Sequence, residues 1–258
     1  MNFLAPWAAA LPAILVLSLA AWALCTARRN AGLVDIFWSL FFVASALVYA
    51  ANEEQLSSRG WIVLALVLAW ALRLSSYLAW RNWDEPEDRR YREMRERHQP
   101  HFALKSLYLV FGLQALLAWL ISAPIFSAVS GNSPLNIIDL AGALLVLFGI
   151  VFETAADAQL AAFKADPGNR GKVMDRGLWR YTRHPNYFGE FCVWWGFWLL
   201  ALAAGGAWTV FAPLLITFML LRVSGVTLLE KDIAERRPAY RDYKQRTNAF
   251  FPGPPKRA

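Results

Sequence analysis

Long apolar stretches recur along the chain and are separated by short polar connections. An apolar stretch of about 20 residues is long enough to cross the hydrocarbon core of a bilayer as a helix. The pattern predicts seven spans, at about Phe3–Ala27, Gly32–Ala51, Trp61–Trp80, Leu104–Ala128, Asn136–Phe163, Asn186–Ala204 and Trp208–Leu229. Because short loops join them, we expect a single all-α, polytopic membrane domain over residues 1–258, with an amphipathic segment at 230–251.

Composition supports the same class of protein. Hydrophobic residues make up 57% of the chain, well above the share in a soluble domain. Several Trp residues stand near the predicted span ends, as in an interfacial aromatic belt. The first span has no positively charged leader and is longer than the apolar part of a typical signal peptide, so we interpret it as a transmembrane helix.

Nearly all of the 26 Lys and Arg residues fall on one side of the predicted spans. Cytosolic loops of membrane proteins are enriched in these residues. We therefore predict a multi-pass protein of the cytoplasmic membrane, with the N-terminus outside and the C-terminus in the cytosol. The cations flank helices instead of forming one face with stacking aromatics, so no nucleic-acid partner is predicted.

Six ionisable side chains lie inside the predicted spans, each within about two or three helical turns of the predicted cytosolic end. Charged groups inside a membrane are costly and are usually functional. They are Asp35, Arg73, Glu153, Asp157, Glu190 and Arg222. Their shared depth predicts a polar chamber open to the cytosol. An internal network of salt bridges between helices is the alternative.

The segment GLWRYTRHPNYFGE, from Gly177 to Glu190, brings a polar cluster to the start of an apolar helix. The cluster consists of Arg180, Tyr181, Arg183, His184, Asn186 and Glu190. Arginine forks suit a phosphate-bearing ligand, and a patch for anionic lipid headgroups is the alternative. A lipid patch does not account for Asn186 and Glu190, which stand one turn apart in the apolar segment.

Two more segments are candidates for binding the same ligand. The Gly-rich loop ADPGNRGK is predicted to cradle phosphates through its backbone N–H groups and through Lys164, Arg170 and Lys172. The C-terminal residues Tyr240, Tyr243 and Arg246 are predicted to close the chamber over an adenine and its phosphates, with a plain surface helix as the alternative.

Other polar segments indicate no further chemistry. His98 and His101 share a loop without evident Cys or acidic partners, so no metal ion is predicted. The stretch EPEDRRYREMRERH mixes charges of both signs at i, i+4 spacing, and we interpret it as a solvated helix.

Over nearly its whole length the chain resembles a bacterial member of the steroid 5α-reductase family. The pattern G-L-x-x-Y-x-x-x-x-N-x-x-G-E, from Gly177 to Glu190, resembles that family's NADPH-contacting segment. The resemblance implies that Asn186 and Glu190 meet the nicotinamide carboxamide and ribose, and Asp157 a further cofactor hydroxyl. Together with the chamber, it gives the predicted contacts of NADPH as Arg73, Glu153, Asp157, Lys164, Arg170, Lys172, Arg180, Tyr181, Arg183, His184, Asn186, Glu190, Arg222, Tyr240, Tyr243 and Arg246.

The same family pairs a carboxylate on the second span with a tyrosine on the third to polarise a substrate ketone. Asp35 stands at the carboxylate position, Trp70 stands at the tyrosine position, and Tyr77 is the other candidate partner. The resemblance implies an oxidoreductase of steroid or lipid metabolism that transfers hydride from NADPH to the β-carbon of an enone. The substrate would be a 3-oxo-4-ene steroid or a similar lipid entering from the bilayer, with Asp35 as the proton donor.

Two other functions are compatible with the sequence. Integral-membrane methyltransferases of the isoprenylcysteine carboxyl type also carry an R-H-P-x-Y segment before an apolar helix and a Glu-rich C-terminal stretch, and they use S-adenosylmethionine. That cofactor has no phosphate and would leave the cations without a ligand. A lipid transporter or scaffold without chemistry is the second alternative, although the chain shows no inverted repeat.

Overall fold

The structure, a computed structural model, describes residues 4–223, 225–230 and 233–256. Every regular element in these ranges is helical. Five helices are long and apolar enough to cross a membrane, at Ala5–Ala27, Ala31–Ala51, Ser58–Asn82, Phe102–Ile121 and Ile137–Ala165. The prediction of an all-α membrane protein is therefore confirmed for the described residues. The chain forms two compact units, one of Met1–Asp139 and Leu200–Thr209, the other of Leu140–Leu199 and Val210–Ala258.

We number the α-helices in chain order. They are α1 Ala5–Ala27, α2 Val34–Ala51, α3 Ser58–Asn82, α4 Arg89–Arg97, α5 Phe102–Ser106, α6 Leu113–Ile121, α7 Ala123–Val129, α8 Ile137–Ala165, α9 Pro185–Ala203, α10 Phe211–Phe218, α11 Val226–Leu229, α12 Ile233–Arg236 and α13 Tyr240–Arg246. A π-helical segment, Leu107–Gly112, joins α5 to α6.

One predicted span needs correction. The fourth ends at Ile121 instead of Ala128, because the chain breaks at Ser122 and a new helix, α7, begins at Ala123 with Pro124, which has no N–H to continue a helix, in its first turn. The sixth corresponds to α9, whose bounds lie within one residue of those predicted, although α9 is not among the five apolar helices. The seventh begins at Ala207 and is helical up to Val223, where the described range ends. The count of seven spans stays a prediction.

In the first unit, α1 packs through a stripe of mostly small residues. Ala10, Ile14, Ser18, Ala21 and Cys25 are buried and recur every three or four residues, on one face of the helix. Small side chains let helix backbones approach closely, which is the usual packing mode inside membranes.

The start of α1 also contacts α6 through a pair of indoles. The Trp7 and Trp119 rings stack with centroids 4.6 Å apart, and each indole N–H donates to the other residue's backbone carbonyl, at 3.1 and 2.9 Å. These two bonds satisfy the polar end of each ring, so the indoles join α1 to α6 without an unmet donor.

Buried hydroxyls link α2 and α3. Ser39 Oγ lies 2.8 Å from Ser75 Oγ, and Ser75 donates to the Ile36 carbonyl at 2.7 Å. A further buried pair joins α2 to the residue between α6 and α7, with 2.6 Å between Tyr49 Oη and Ser122 Oγ. Each hydroxyl therefore finds a partner within apolar surroundings, where an unpartnered one would be costly.

Arg59 is a buried cation of the first unit. It lies at the start of α3 and is 1% exposed. It forms a two-point salt bridge with Asp139, with 2.6 Å between Nε and Oδ1 and 3.0 Å between Nη2 and Oδ2. Its Nη1 also donates to the Ser133 carbonyl at 3.1 Å, so Arg59 anchors the loop before α8.

In the second unit, α8 and α9 meet at glycines. A Cβ added to Gly189 would lie 2.7 Å from Glu153 Cβ and 2.8 Å from the Gly149 carbonyl. The two backbones therefore pass at a distance that only glycine permits. This contact places Glu153 of α8 against the turn of α9 that carries Glu190.

The predicted amphipathic segment at 230–251 contains the short helices α12 and α13, and Tyr240 and Tyr243 of α13 are buried. Lys231 and Asp232 of this segment lie outside the described residues.

Candidate functional site

Asp35 lies in the first turn of α2 and accepts a hydrogen bond from a tyrosine that the sequence did not single out. Tyr91 of α4 donates its hydroxyl to Asp35 Oδ1 at 3.0 Å. Gln114 of α6 points its side-chain amide at the same hydroxyl, with 3.4 Å between Nε2 and Tyr91 Oη. Arg90 Nη2 lies 3.7 Å from Asp35 Oδ2. We refer to Asp35, Arg90, Tyr91 and Gln114 as the Asp35 cluster.

Arg90 and Tyr91 are held by the start of α4. Asp88 caps this helix, accepting from the Arg90 N–H and from Arg90 Nε, both at 2.9 Å. Partial burial alone would raise the pKa of Asp88, but these bonds from Arg90 hold it below its usual value. Burial, and secondly the nearby Asp35 carboxylate, raise the pKa of Tyr91 well above its usual value. Tyr91 therefore keeps its proton at neutral pH and can donate it in a hydrogen bond.

Trp70 and Tyr77 stay predicted partners of Asp35, and the structure gives each of them other neighbours. Trp70 is fully buried and packs edge-on against Phe42, with ring centroids 5.6 Å apart, so it is a core residue. Tyr77 lies against two guanidinium groups, Arg73 at 5.6 Å and Arg81 at 5.4 Å from its ring centroid. The tyrosine whose hydroxyl contacts Asp35 is Tyr91, because the loop after α3 places α4 beside the start of α2.

A polar atom of the Asp35 cluster has no hydrogen-bond partner among the described residues. It is Gln114 Oε1, which is buried. Buried polar atoms are nearly always paired, so an orphaned one needs a ligand, a water molecule or another explanation. Since the Gln114 amide nitrogen faces the Tyr91 oxygen, its carbonyl oxygen is left to accept a further hydrogen bond.

In the second unit, four residues converge on one carboxylate. Glu230 accepts from Arg183 Nε at 2.7 Å and from Tyr240 Oη at 3.2 Å, and its Oε1 lies 3.0 Å from His184 Nε2. Lys244 Nζ lies 3.4 Å from Glu230 Oε2. Although partial burial opposes ionisation, the hydrogen bonds from His184 and Arg183 hold the pKa of Glu230 well below its usual value. Arg183, His184, Glu230 and Tyr240 form what we call the Glu230 cluster.

Several predicted cofactor contacts therefore have partners inside the protein. Arg183 also donates to the backbone carbonyls of Lys244 and Thr247, which engages most of its N–H groups. Tyr243 donates to the Trp179 carbonyl and is 2% exposed. Arg246 binds Asp175. In the structure these side chains tie the C-terminal segment to the Gly177–Glu190 segment.

Other predicted contacts are open to solvent. Among the predicted contacts, the exposed cations with no ion pair to a described residue are Arg170, Lys172, Arg180 and Arg222, and Tyr181 and Lys164 are exposed as well. Asn186 is half-buried at the start of α9. Glu153, Asp157 and Glu190 are buried, and Glu190 accepts from Trp194 Nε1 at 2.9 Å. Arg73 is half-buried in the first unit.

Gly177, at the start of the predicted motif, is required by its backbone. Its φ is +56°, a left-handed value that glycine adopts readily, and a Cβ there would lie 2.4 Å from Gln159 Oε1. Gln159 in turn accepts from the Leu178 N–H at 2.9 Å. The first two residues of the motif thus fix its loop against α8.

A family described as "Protein of unknown function (DUF1295)" matches residues 21–247. The chain belongs to the DUF1295 family. DUF1295 proteins are membrane proteins related to the steroid 5α-reductases. The matched range contains every residue of the Asp35 and Glu230 clusters, so both clusters lie within the family domain.

A relative of this chain carries no further functional information in its name. This chain is 26% identical to a Schizosaccharomyces pombe protein named "Uncharacterized protein C594.04c", over 90% of this chain and 75% of the relative. No solved structure matches the chain.

Sequence reasoning missed three members of the Asp35 cluster in this DUF1295 chain, namely Arg90, Tyr91 and Gln114. A signal for Tyr91 was present: Tyr91 and Met94 stand at i, i+3 in an otherwise charged helix, and both pack against the core of the first unit. Within the described residues, no group of three His, Cys, Asp or Glu side chains is arranged to hold a metal ion.

Proposed function

We propose that this DUF1295 protein is an NADPH-dependent reductase of the carbon–carbon double bond of an enone lipid, with a 3-oxo-4-ene steroid as the model substrate. The observation that carries the proposal is the hydrogen bond of 3.0 Å from Tyr91 to Asp35 in the first unit. A carboxyl group paired with a tyrosine hydroxyl among apolar helices is suited to polarise a ketone, because it concentrates donors where negative charge develops.

The geometry of the Asp35 cluster suggests how its residues would act. Oδ1 of Asp35 accepts from Tyr91, so a protonated Asp35 would carry its proton on Oδ2, the oxygen free to donate to a ketone. Arg90 lies 3.7 Å from that same oxygen and would stabilise the carboxylate left after the proton has moved. Tyr91 keeps the carboxyl group oriented throughout.

Residues of the second unit fit parts of NADPH and not others. The buried carboxylates Glu153, Asp157 and Glu190 are acceptors suited to ribose hydroxyls, and the half-buried Asn186 suits a carboxamide. The exposed cations Arg170, Lys172 and Arg180 suit phosphates. Arg183, Tyr243 and Arg246 fit less well, because partners inside the protein already occupy them.

Bound NADPH would supply the hydride for the β-carbon of the enone. The chain's own tasks would be to hold the ketone oxygen against the Asp35 cluster, to donate a proton there, and to keep water away from it. We further propose that the basic side of the membrane is cytosolic, so that the cofactor arrives from the cytosol and the apolar substrate from the bilayer.

A second candidate function is an S-adenosylmethionine-dependent methyltransferase. The observation that favours it is the Glu230 cluster, which joins Arg183 and His184 of the R-H-P segment to a glutamate of the C-terminal stretch. Both features belong to the isoprenylcysteine methyltransferase pattern. The exposed Arg170, Lys172 and Arg180 would then have no phosphate to bind, which makes this the weaker candidate.

The test is a direct comparison on the purified protein in detergent. NADPH carrying deuterium at its transferable position is incubated with the protein and 4-androstene-3,17-dione, and the product is analysed by mass spectrometry. Deuterium in a saturated ketone supports the reductase. Binding of S-adenosylmethionine without binding of NADPH would overturn it in favour of the methyltransferase.

A further inference from the structure

A cavity of about 260 Å³ lies in the first unit, and no residue of the Asp35 cluster lines it. It lies where three candidate spans have their ends: α1 ends at Ala27, the next span begins at Ala31, and the fourth begins at Phe102. Its lining includes Thr26, Arg29, Arg95, Phe102, Ala103 and Ser106. If these helices span a bilayer, the cavity lies at the level of the lipid headgroups.

One of the two arginines of this cavity is already neutralised. Arg95 forms a two-point salt bridge with Glu87, at 2.7 Å and 2.9 Å, and its guanidinium lies 4.6 Å from the centroid of the Phe102 ring. Glu87 Oε1 also accepts from the Ala31 N–H at 2.7 Å. These contacts build a rigid wall from the loop before α4 and the turn before α2.

Arg29 is different, because it has no anionic partner among the described residues. Its neighbour Arg28 stacks on Trp83 at 4.4 Å and donates to the Trp83 carbonyl at 3.1 Å. Arg29 is exposed and adopts a left-handed backbone with φ of +52°. The hydroxyl of Thr26 likewise has no hydrogen-bond partner in the described part of the chain. The cavity therefore offers an unneutralised guanidinium and a free hydroxyl beside apolar walls.

We propose that this cavity binds the phosphate-bearing headgroup of an anionic membrane lipid. Its volume of about 260 Å³ holds several water molecules and is enough for a phosphate with a small polar substituent such as glycerol. Arginine binds phosphate oxygens through its planar fork. The ring of Phe102 and the position at three span ends suit a ligand whose remaining part is lipid, more than a soluble phosphate.

The experiment compares lipids that differ in net charge. Delipidated protein in a neutral detergent is titrated with dioleoyl phosphatidylglycerol or with dioleoyl phosphatidylcholine, and bound lipid is counted by native mass spectrometry. We expect phosphatidylglycerol to bind the wild-type protein and Arg29→Gln to lower its affinity by about tenfold. Ala103→Trp, which fills the cavity from an exposed position, should have the same effect.

Arg97→Gln is the matched control. It removes the same charge from the first unit, but Arg97 is largely exposed, lies 3.6 Å from Glu93 and does not line the cavity. We expect it to change lipid affinity by less than about threefold. Equal losses for Arg29→Gln and Arg97→Gln, or equal binding of the two lipids, would overturn the proposal.

Soluble ligands form the last arm of the test. Inorganic phosphate and NADPH are each added to the wild-type protein with phosphatidylglycerol bound, and NADPH binding is compared between the wild-type protein and Arg29→Gln. If either ligand displaces the lipid and Arg29→Gln binds NADPH more weakly, the cavity belongs to a soluble phosphate instead of a lipid. The lipid measurements do not depend on catalysis, so failure of the proposed reductase activity would leave them unchanged.

Discussion

Arg183 and Glu230 form a two-point salt bridge in the second unit, with 2.7 Å between Arg183 Nε and Glu230 Oε1 and 3.0 Å between Nη2 and Oε2. Both side chains are 7% exposed. Because Arg183 also donates to the carbonyls of Lys244 and Thr247, this pair joins the residues before α9 to those after α13. A basic motif that resembles a ligand-binding segment is thus also a fold determinant.

We expect Glu230→Gln to destabilise the second unit. The change leaves Arg183 buried without its counter-charge, and breaking a buried pair in this way costs about 3–5 kcal/mol. The free energy of unfolding in detergent, measured by denaturant titration, should fall accordingly. Glu235→Gln makes the same substitution at an exposed position and serves as the control. Equal stability of the two variants would show that the bridge contributes little.

Stability should also depend on Glu230 at acid pH. The pKa of Glu230 is lowered in the folded protein. Its contribution to the free energy of unfolding is therefore complete at pH values above its pKa in the unfolded chain, about 4.3, and is lost as the pH falls through its pKa in the folded protein. The wild-type protein should therefore lose stability more steeply below about pH 4 than Glu230→Gln does. Parallel curves of unfolding midpoint against pH for the two proteins would argue against this assignment.

Tyr91→Phe and Asp35→Asn are expected to slow reduction of the enone with little change in NADPH affinity. General acid catalysis is typically worth about 10²–10⁴ in rate, and Asn cannot donate a full proton. The loss should be larger for Asp35→Asn than for Tyr91→Phe, which removes one orienting hydrogen bond. Turnover and cofactor binding are measured on the same preparations.

Tyr77→Phe is the matched control for that pair, since it removes the hydroxyl of the other candidate tyrosine that the sequence offered beside Trp70. We expect near wild-type turnover, because Tyr91 donates to Asp35 at 3.0 Å. The opposite result, a slow Tyr77→Phe and a normal Tyr91→Phe, would mean that the hydrogen bond to Asp35 is not the catalytic one.

The buried pair of Arg59 and Asp139 predicts another stability effect. Arg59→Met should lower the free energy of unfolding by about 3–5 kcal/mol, because it leaves Asp139, which is 4% exposed, as an uncompensated buried charge. Adding Asp139→Asn to this variant removes that charge and should restore part of the loss. A double variant no more stable than Arg59→Met would show that the carbonyl contacts of Arg59 dominate, not its charge pairing.

Gly177→Ala tests the close approach at the start of the motif. The free energy of unfolding should fall by about 1–2 kcal/mol, because alanine is strained in the left-handed backbone conformation. It should fall further because the new Cβ would push Gln159 away from the Leu178 N–H. Gly171→Ala is the control, since its φ is +81° with no heavy atom within 4 Å of an added Cβ. Thermal unfolding of both variants separates backbone strain from the clash.

Much of the fold could be predicted from sequence, because apolar runs of spanning length leave few other structures open to a chain. The helix ends were less predictable. The break at Ser122 depends on Pro124 within an otherwise uniform apolar run, and the start of α3 is extended to Ser58 by the capping hydroxyl of Ser57.

The candidate site was only partly predictable. Asp35 was found because a carboxylate in an apolar run is conspicuous. Tyr91 was missed because it lies in a charged stretch whose local pattern indicates a solvated helix, and only its return to α2 buries it. The pairing of Arg183 with Glu230 could not be predicted either. The two residues are 47 positions apart, and their contact depends on tertiary structure that no local sequence pattern encodes.

The stacked indoles of Trp7 and Trp119 have a practical consequence. Two parallel aromatic chromophores with centroids 4.6 Å apart couple their electronic transitions, which gives a paired circular-dichroism signal that isolated indoles lack. Since one ring belongs to α1 and the other to α6, the part of this signal that Trp119→Phe removes reports whether the first helix is docked. Assembly of the first unit in a bilayer can thus be followed without any attached label.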